Sequence, residues 1–298
     1  FNFEKIVAYL DFLTNFIQNQ NSPILSKFNP AYHLFRYCND KKFNLYKIGN
    51  VSGAKMIPFL SREVLNDHIC QHSIRTDGVS LFRAYFKHQI QMHDRVSIIS
   101  LNYDSLAHKA LEGLDCFNGF ASGNFMPDAF IKSKKTVSYI HGHQNFYPSG
   151  GSILMADSPD SGFKYRASNL WTHNYQSITE KSFGLSFITG DTKEKNLQIP
   201  VFNTYINKSV YESILADEVV LIGYSCSDDH INSIVRNFFD REKLVTFVNF
   251  DLDGNTHSAQ FGLTSRFLTR GNITYEVQKV VFHMNGAREY FLKYVINS

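Results

Sequence analysis

Asn102, Tyr103 and Asp104 follow directly on an apolar run in "SIISLNYDSLAH", residues 97–108. An uncharged amide beside a phenol and a carboxylate can hold a water molecule and take or orient a proton. His141, Gly142 and His143 close a second apolar run, "VSYIHGHQNF", residues 137–146. Imidazole, with an ordinary pKa near 6.5, is the side chain suited to accept a proton at neutral pH. A third run, "DEVVLIGYSCSDDHINSIV", residues 217–235, breaks into Gly223, Tyr224, Ser225, Asp228 and Asp229. Glycine there permits close approach of another group to the backbone, and the Ser225 hydroxyl can donate or accept a hydrogen bond. A fourth, "KLVTFVNFD", ends in Asn249 and Asp251.

Each cluster also has a plainer reading. Asn, Asp, Ser and Gly favour helix starts and turns wherever they occur. Asp228 and Asp229 open a helical pattern, so complementing the helix dipole explains them as well as a ligand contact does. His141 can be a structural histidine, and His143 and His230 read as surface groups or as groups standing behind a site. "HGH" is too short to be a metal signature by itself, and no metal is expected.

The elements that position these clusters are alternating strands and helices. "RVSIISL", "TVSYIH", "EVVLIGYS" and "KLVTFVNFD" are short, rich in β-branched residues and almost continuously apolar, as strands buried on both faces are. "YDSLAHKALEG", "NKSVYESILAD" and "DDHINSIVRNFFDRE" separate them with helical patterns, "NITYEVQKVVFH" follows as a last strand, and "AREYFLKYVIN" closes the chain as a helix. This alternation predicts an α/β fold with a doubly wound, mostly parallel sheet. In such sheets ligands sit beyond the carboxyl ends of the strands, and all four polar clusters fall at such ends.

Upstream, "FEKIVAYLDFLTNFIQ" predicts an amphipathic helix, residues 20–60 read as loops and short helices, and "SREVLNDHI" and "SLFRAYFKHQIQ" resume a helical pattern with Ser61 and Ser80 as N-caps. The expected organisation is one domain over 1–298, with 1–94 mainly helical and 95–298 forming the α/β core. A chain of 298 residues with 43% hydrophobic content can bury a large core. The 27 Phe and 16 Tyr predict that this core is thick with aromatic rings.

A net charge of +3 with 19% charged residues gives no support to nucleic-acid binding. Cys38, Cys70, Cys116 and Cys226 contain no CxxC pair, which argues against a zinc ribbon and against a disulfide framework. A reduced, cytoplasmic protein is expected. No apolar run reaches the roughly 18–20 residues needed to span a bilayer, and no signal peptide opens the sequence. The chain begins at Phe1 rather than Met, so it is expected to be a piece of a longer one.

"SLNYDSLAHKAL" resembles the segment that carries the catalytic asparagine in sirtuin-like domains, commonly T-T-N-Y-D before an apolar helix. "YIHGH" resembles their L-H-G segment with the catalytic histidine, and "DEVVLIGYSCSDDHINSIV" is similar to the G-[YF]-[SG]-x-x-D-x-x-[IL] segment of the bacterial antiphage branch. "CFNGF" followed by "FMPDAF" is similar to what that branch places between asparagine and histidine. The resemblance covers about residues 95–255. Two departures matter. The paired cysteines of the deacetylating members' zinc module are absent, as in the antiphage branch. The glycine-rich G-A-G-x-S phosphate loop is also missing: "GNVSGAK", residues 49–55, has no strand before it, so the cradle is expected upstream of Phe1.

The resemblance implies that 95–298 is a nucleotide-binding core, that of a Rossmann-like NAD hydrolase that cleaves the nicotinamide–ribose bond, giving nicotinamide and ADP-ribose, as an effector of antiphage defence. It implies Asn102 as the holder of the attacking water, His141 as proton acceptor and Asp104 as orienter of Asn102 or contact to the departing amide. NAD would be held by Tyr103, Gly142, Gly223, Tyr224, Ser225, Asp229 and Asn249, the last at the adenosine ribose, with no metal. A homo-oligomer, or a complex with an ATPase, an Argonaute-like protein or a phage trigger, is the implied assembly, with no membrane involved. The alternatives are a catalytically degenerate nucleotide sensor or assembly module, and an NAD-dependent ADP-ribosyltransferase or deacylase acting on protein.

Overall fold

A computed structural model describes residues 76–102, 105–149, 152–158, 161, 197–224, 228–239, 241, 243–248, 280–283, 290–292 and 294. The predicted helices at 3–17 and 61–69, the cap Ser61 and the loops at 20–60 lie outside these residues.

Helix α1 spans Thr76–Met92 and buries Tyr85, Phe86 and Ile90 on one face. Ser80, expected to cap this helix, lies inside it. The helix begins at Thr76, about a full turn upstream of the expected start. The buried face meets the end of the chain: the Tyr85 and Phe291 rings stack with centroids 4.8 Å apart, and Phe82 meets Phe291 edge-on at 4.7 Å. This is the expected aromatic core, in which each fully buried ring contributes about 1.5–3 kcal/mol.

Strand β1, Val96–Ser100, runs parallel to β4, Lys135–Tyr139, in a register that sets Val96 against Lys135 and Ser100 against Tyr139. Phe117 bridges the other edge of β4, so that strand is flanked on both sides. Its residues Thr136 to Tyr139 are all buried, the small hydroxyl side chains of Thr136 and Ser138 included, as in a strand covered on both faces. Between the two strands the chain forms helix α2, Leu106–Leu111, then the hairpin of β2, Phe120–Ala121, and β3, Asn124–Phe125. Ser122 and Gly123 turn the hairpin with φ of 48° and 79°, the left-handed pair that a two-residue hairpin demands. Helix α3, Pro127–Lys132, starts on proline, whose missing N–H costs nothing there. A second hairpin pairs β5, Phe146–Ser149, with β6, Ser152–Met155.

Helix α4, Pro200–Leu215, begins well before the helix expected from "NKSVYESILAD". Its Lys208 is buried and donates to the carbonyls of Ile131 at 2.7 Å and Ser133 at 2.8 Å, closing the end of α3. Lys208 also meets Glu212 at 2.7 Å, and Arg95, just before β1, meets the same carboxylate oxygen at 2.7 Å. The three charges thus tie α4 to α3 and to the entry of β1.

Strands β7, Glu218–Ile222, β8, Leu244–Val248, and β9, Val280–His283, form a parallel sheet in that order, with helix α5, Asp229–Phe239, between the first two. Of the last strand expected from "NITYEVQKVVFH", Val280–His283 is described as strand, and the residues before Val280 lie outside those described. The described residues therefore mix helices with small parallel sheets, an α/β arrangement. Among them the parallel strands form two ladders, β1–β4 and β7–β8–β9, rather than the single ladder expected. Helices join the two: α4 covers β1 and β4, α5 covers β7 and β8, and α4 and α5 lie against each other. No helix among the described residues is long and apolar enough to cross a membrane.

Candidate functional site

The register of β1 and β4 relates two predicted site residues. Ser100 and Tyr139 are the last pair of the ladder, and Asn102 and His141 each stand two residues beyond it, at the carboxyl ends of neighbouring strands. Asn102 is exposed, and its carbonyl accepts from the Ser100 hydroxyl at 3.4 Å. His141 is only 2% exposed. Gly142 then turns the chain with φ of 99°, donating its N–H to the Tyr139 carbonyl at 3.0 Å. An L side chain is strained at that φ, so glycine after the histidine is a backbone requirement. Tyr103 and Asp104 lie outside the described residues.

The third cluster meets the second. Nε2 of His230, in the first turn of α5, lies 3.1 Å from Nε2 of His141. The Asp228 carboxylate joins them: one donor atom from each of His141, Asp228 and His230 lies within 4.8 Å of the others. His141 is buried while Asp228 and His230 are half-buried, so the group opens toward solvent on one side.

The turn that carries Asp228 and His230 is braced from behind. The buried Tyr224 donates its hydroxyl to the Asp228 carbonyl at 3.1 Å and to Asn232 Oδ1 at 2.8 Å. Asn232 returns its backbone N–H to the Asp228 carbonyl at 2.8 Å. Tyr224, expected to touch NAD, thus has a bracing role in the described contacts. Gly223 ends β7 with φ of 63°, its N–H still bonded to the Val248 carbonyl at 2.8 Å. Nothing lies within 4 Å of where its Cβ would sit, so backbone conformation rather than protein crowding calls for glycine. Asp229 is exposed at the first position of α5, and Ser225 and Asn249 lie outside the described residues.

Behind His141 stands a second, buried group. His143 is fully buried, with its ring 4.6 Å from that of Tyr139 and 5.2 Å from that of His108. A surface position for His143 does not survive, because its ring packs among those of His108, Tyr139 and Phe146. Its Nδ1 accepts the Asn145 N–H at 3.2 Å, which assigns the proton of the neutral ring to Nε2. His108 Nδ1 and the Tyr139 hydroxyl are 3.2 Å apart. Burial holds His108 below the ordinary histidine value and pushes the Tyr139 phenol well above its own. Burial likewise pushes the Cys116 thiol up to about 12, which makes it an inert core thiol.

The fold therefore brings His141, Asp228 and His230 together and sets Asn102 at the matching register position. Sequence reading had no way to pair His141 with His230. The one available signal is the D-x-H spacing at the helix start, which puts both side chains on the first turn. No family model matches the chain, and no curated protein matches it.

Proposed function

We propose that the protein hydrolyses NAD at the nicotinamide–ribose bond, releasing nicotinamide, ADP-ribose and a proton, and that it serves antiphage defence by depleting NAD. The finer fold belongs to the same proposal: the two parallel ladders are halves of one Rossmann-like, doubly wound sheet, with the dinucleotide across its carboxyl edge. One observation carries the reading, the register that makes Asn102 and His141 equivalent positions on adjacent parallel strands. Strand spacing of about 4.8 Å puts such positions on the scale of one sugar ring.

Bond cleavage builds oxocarbenium character at the anomeric carbon. An amide such as Asn102 holds a water on one face through its oxygen without adding charge. As the water attacks, its proton must leave. The imidazole pair His141–His230 supplies a place for it, because a proton shared across a 3.1 Å contact turns a neutral hydrogen bond into a charge-assisted one. Asp228 beside the pair stabilises the resulting cation, as an orienting carboxylate does behind a catalytic histidine. The positive φ at Gly142 and Gly223 gives two backbone turns that leave room for the nucleotide.

The test is direct. The full chain is incubated with NAD and nicotinamide is quantified by chromatography, alongside Asn102→Ala and His141→Ala. Each replacement is expected to lower release by about 10²–10⁴-fold while circular dichroism stays unchanged. Full activity in both variants, or no release by any form of the protein, overturns the reading.

A further inference from the structure

We infer that His141, Asp228 and His230 form a binding site for a first-row divalent cation of the zinc class. The inference uses only the placement of three side chains, and it is an alternative to the proton-accepting role proposed for the same imidazoles, because an ion bound to both Nε2 atoms would occupy the lone pairs that role requires.

Two imidazoles and one carboxylate are the borderline nitrogen and oxygen donors that such ions take, and the set leaves positions open for water. Two nitrogens bound to one ion at about 2.0–2.1 Å stand roughly 2.8–3.4 Å apart at octahedral to tetrahedral angles. The two Nε2 atoms are 3.1 Å apart, within that span. All three donor atoms lie within 4.8 Å of one another, and rotation of the half-buried Asp228 side chain closes the remaining gap.

Preorganisation distinguishes this cluster from a chance meeting of polar groups. His141 is held in a buried turn by the bond from Gly142 N–H to the Tyr139 carbonyl, 3.0 Å. The backbone of the α5 start is held by the Asp228 carbonyl, which accepts from Tyr224 and from the Asn232 N–H, and by the Ser233 hydroxyl, which donates to the His230 carbonyl at 2.7 Å. The ligands come from two elements, the β4 turn and the α5 start, so an ion there links them. Asp228 offsets part of the cation's charge, while the positive end of the α5 dipole opposes it. The site is thus a moderate one that takes ions with strong nitrogen affinity rather than Mg²⁺ or Ca²⁺.

The experiment uses the full chain stripped with a chelator. Zn²⁺ is titrated by calorimetry, and Co²⁺ is followed by its visible d–d absorption, in wild type, Asp228→Asn, His230→Gln and His230→Ala. His88→Ala, on α1, serves as the control. One equivalent is expected to bind wild type and the control equally, with affinity falling about 10–100-fold in each of the other three. Absence of saturable binding, or binding of unchanged affinity in the Asp228 and His230 variants, reduces the cluster to a hydrogen-bonded imidazole pair and overturns the site. Ion binding without nicotinamide release upholds this site and sinks the NAD reading, and release without ion binding does the reverse.

Discussion

His141 Nε2 lies 3.1 Å from His230 Nε2, a contact between residues 89 positions apart. It links the turn after β4 to the first turn of α5, and so couples two strand ends that belong to separate ladders. At that distance one of the two Nε2 atoms donates and the other accepts, so the protonation of the two rings is linked.

The first prediction follows from that coupling. On the proposed reaction, His230→Ala is expected to slow nicotinamide release by about 10–100-fold through kcat, with KM changed little, because the variant removes a proton partner and leaves Asn102 and His141 in place. His230→Gln restores a hydrogen-bonding group without a titrating ring and is expected to recover orientation only. Steady-state kinetics with unchanged kcat in His230→Ala contradicts a role in proton transfer.

A second prediction concerns stability. Lys208 has a side chain that is 1% exposed and Glu212 one that is 5% exposed, whereas that of Arg95 is 33% exposed. Lys208→Met leaves a buried carboxylate short of one partner and two α3 carbonyls unsatisfied, so a loss of about 3–5 kcal/mol is expected. Arg95→Met removes a partner that water can replace, and a loss of about 1 kcal/mol or less is expected. Urea unfolding midpoints of the two variants give the comparison, and equal losses contradict it.

The positions of these groups show which parts of the molecule the chain announces. Lys135–Tyr139 is legible as a strand because Thr136 and Val137 are β-branched in a buried stretch, and the half-buried Val96–Ser100 because Val96, Ile98 and Ile99 are β-branched. The H-G step at His141–Gly142 is legible because the φ of 99° admits glycine at little cost. The early start of α4 at Pro200 is not legible, since "PVFNTYI" is apolar and β-branched enough to suit a strand, and tertiary burial of Val201, Phe202 and Tyr205 decides the matter. The partners of His141 and of Lys208 are likewise invisible, because they depend on contacts between distant elements. Local pattern fixes neither. Of the expected site, Tyr103, Asp104, Ser225 and Asn249 lie outside the described residues.

His108 carries a pH prediction. Burial is the main cause of its lowered pKa, with Lys109 adding to it and Glu112 opposing it. A folded-state value below the unfolded one, near 6.5, means that the unfolded chain takes up the proton first as pH falls. The stability from His108 is therefore present above about pH 6.5 and is lost as pH drops through the unfolded value toward the depressed folded one. Melting temperatures measured between pH 8 and 5 are expected to fall less steeply in His108→Gln, whose amide still meets the Tyr139 hydroxyl. An unchanged slope contradicts the assignment.

Two glycines predict opposite signs for one substitution. Gly119 has φ of 91°, and a Cβ there would stand 2.4 Å from a ring carbon of Phe125. That ring cannot swing aside, since it packs edge-on against Tyr205 at 5.6 Å and against Phe120 at 5.2 Å. Backbone strain and overpacking together make Gly119→Ala cost about 2–4 kcal/mol. Gly78 sits in α1 with nothing within 4 Å of its Cβ position. Alanine there reduces the freedom of the unfolded chain and raises helix propensity, so Gly78→Ala is expected to stabilise by about 0.5–1 kcal/mol. Chemical denaturation of both variants reads the two signs, and a stabilising Gly119→Ala would mean that the hairpin from β2 to β3 does not hold the described turn in solution.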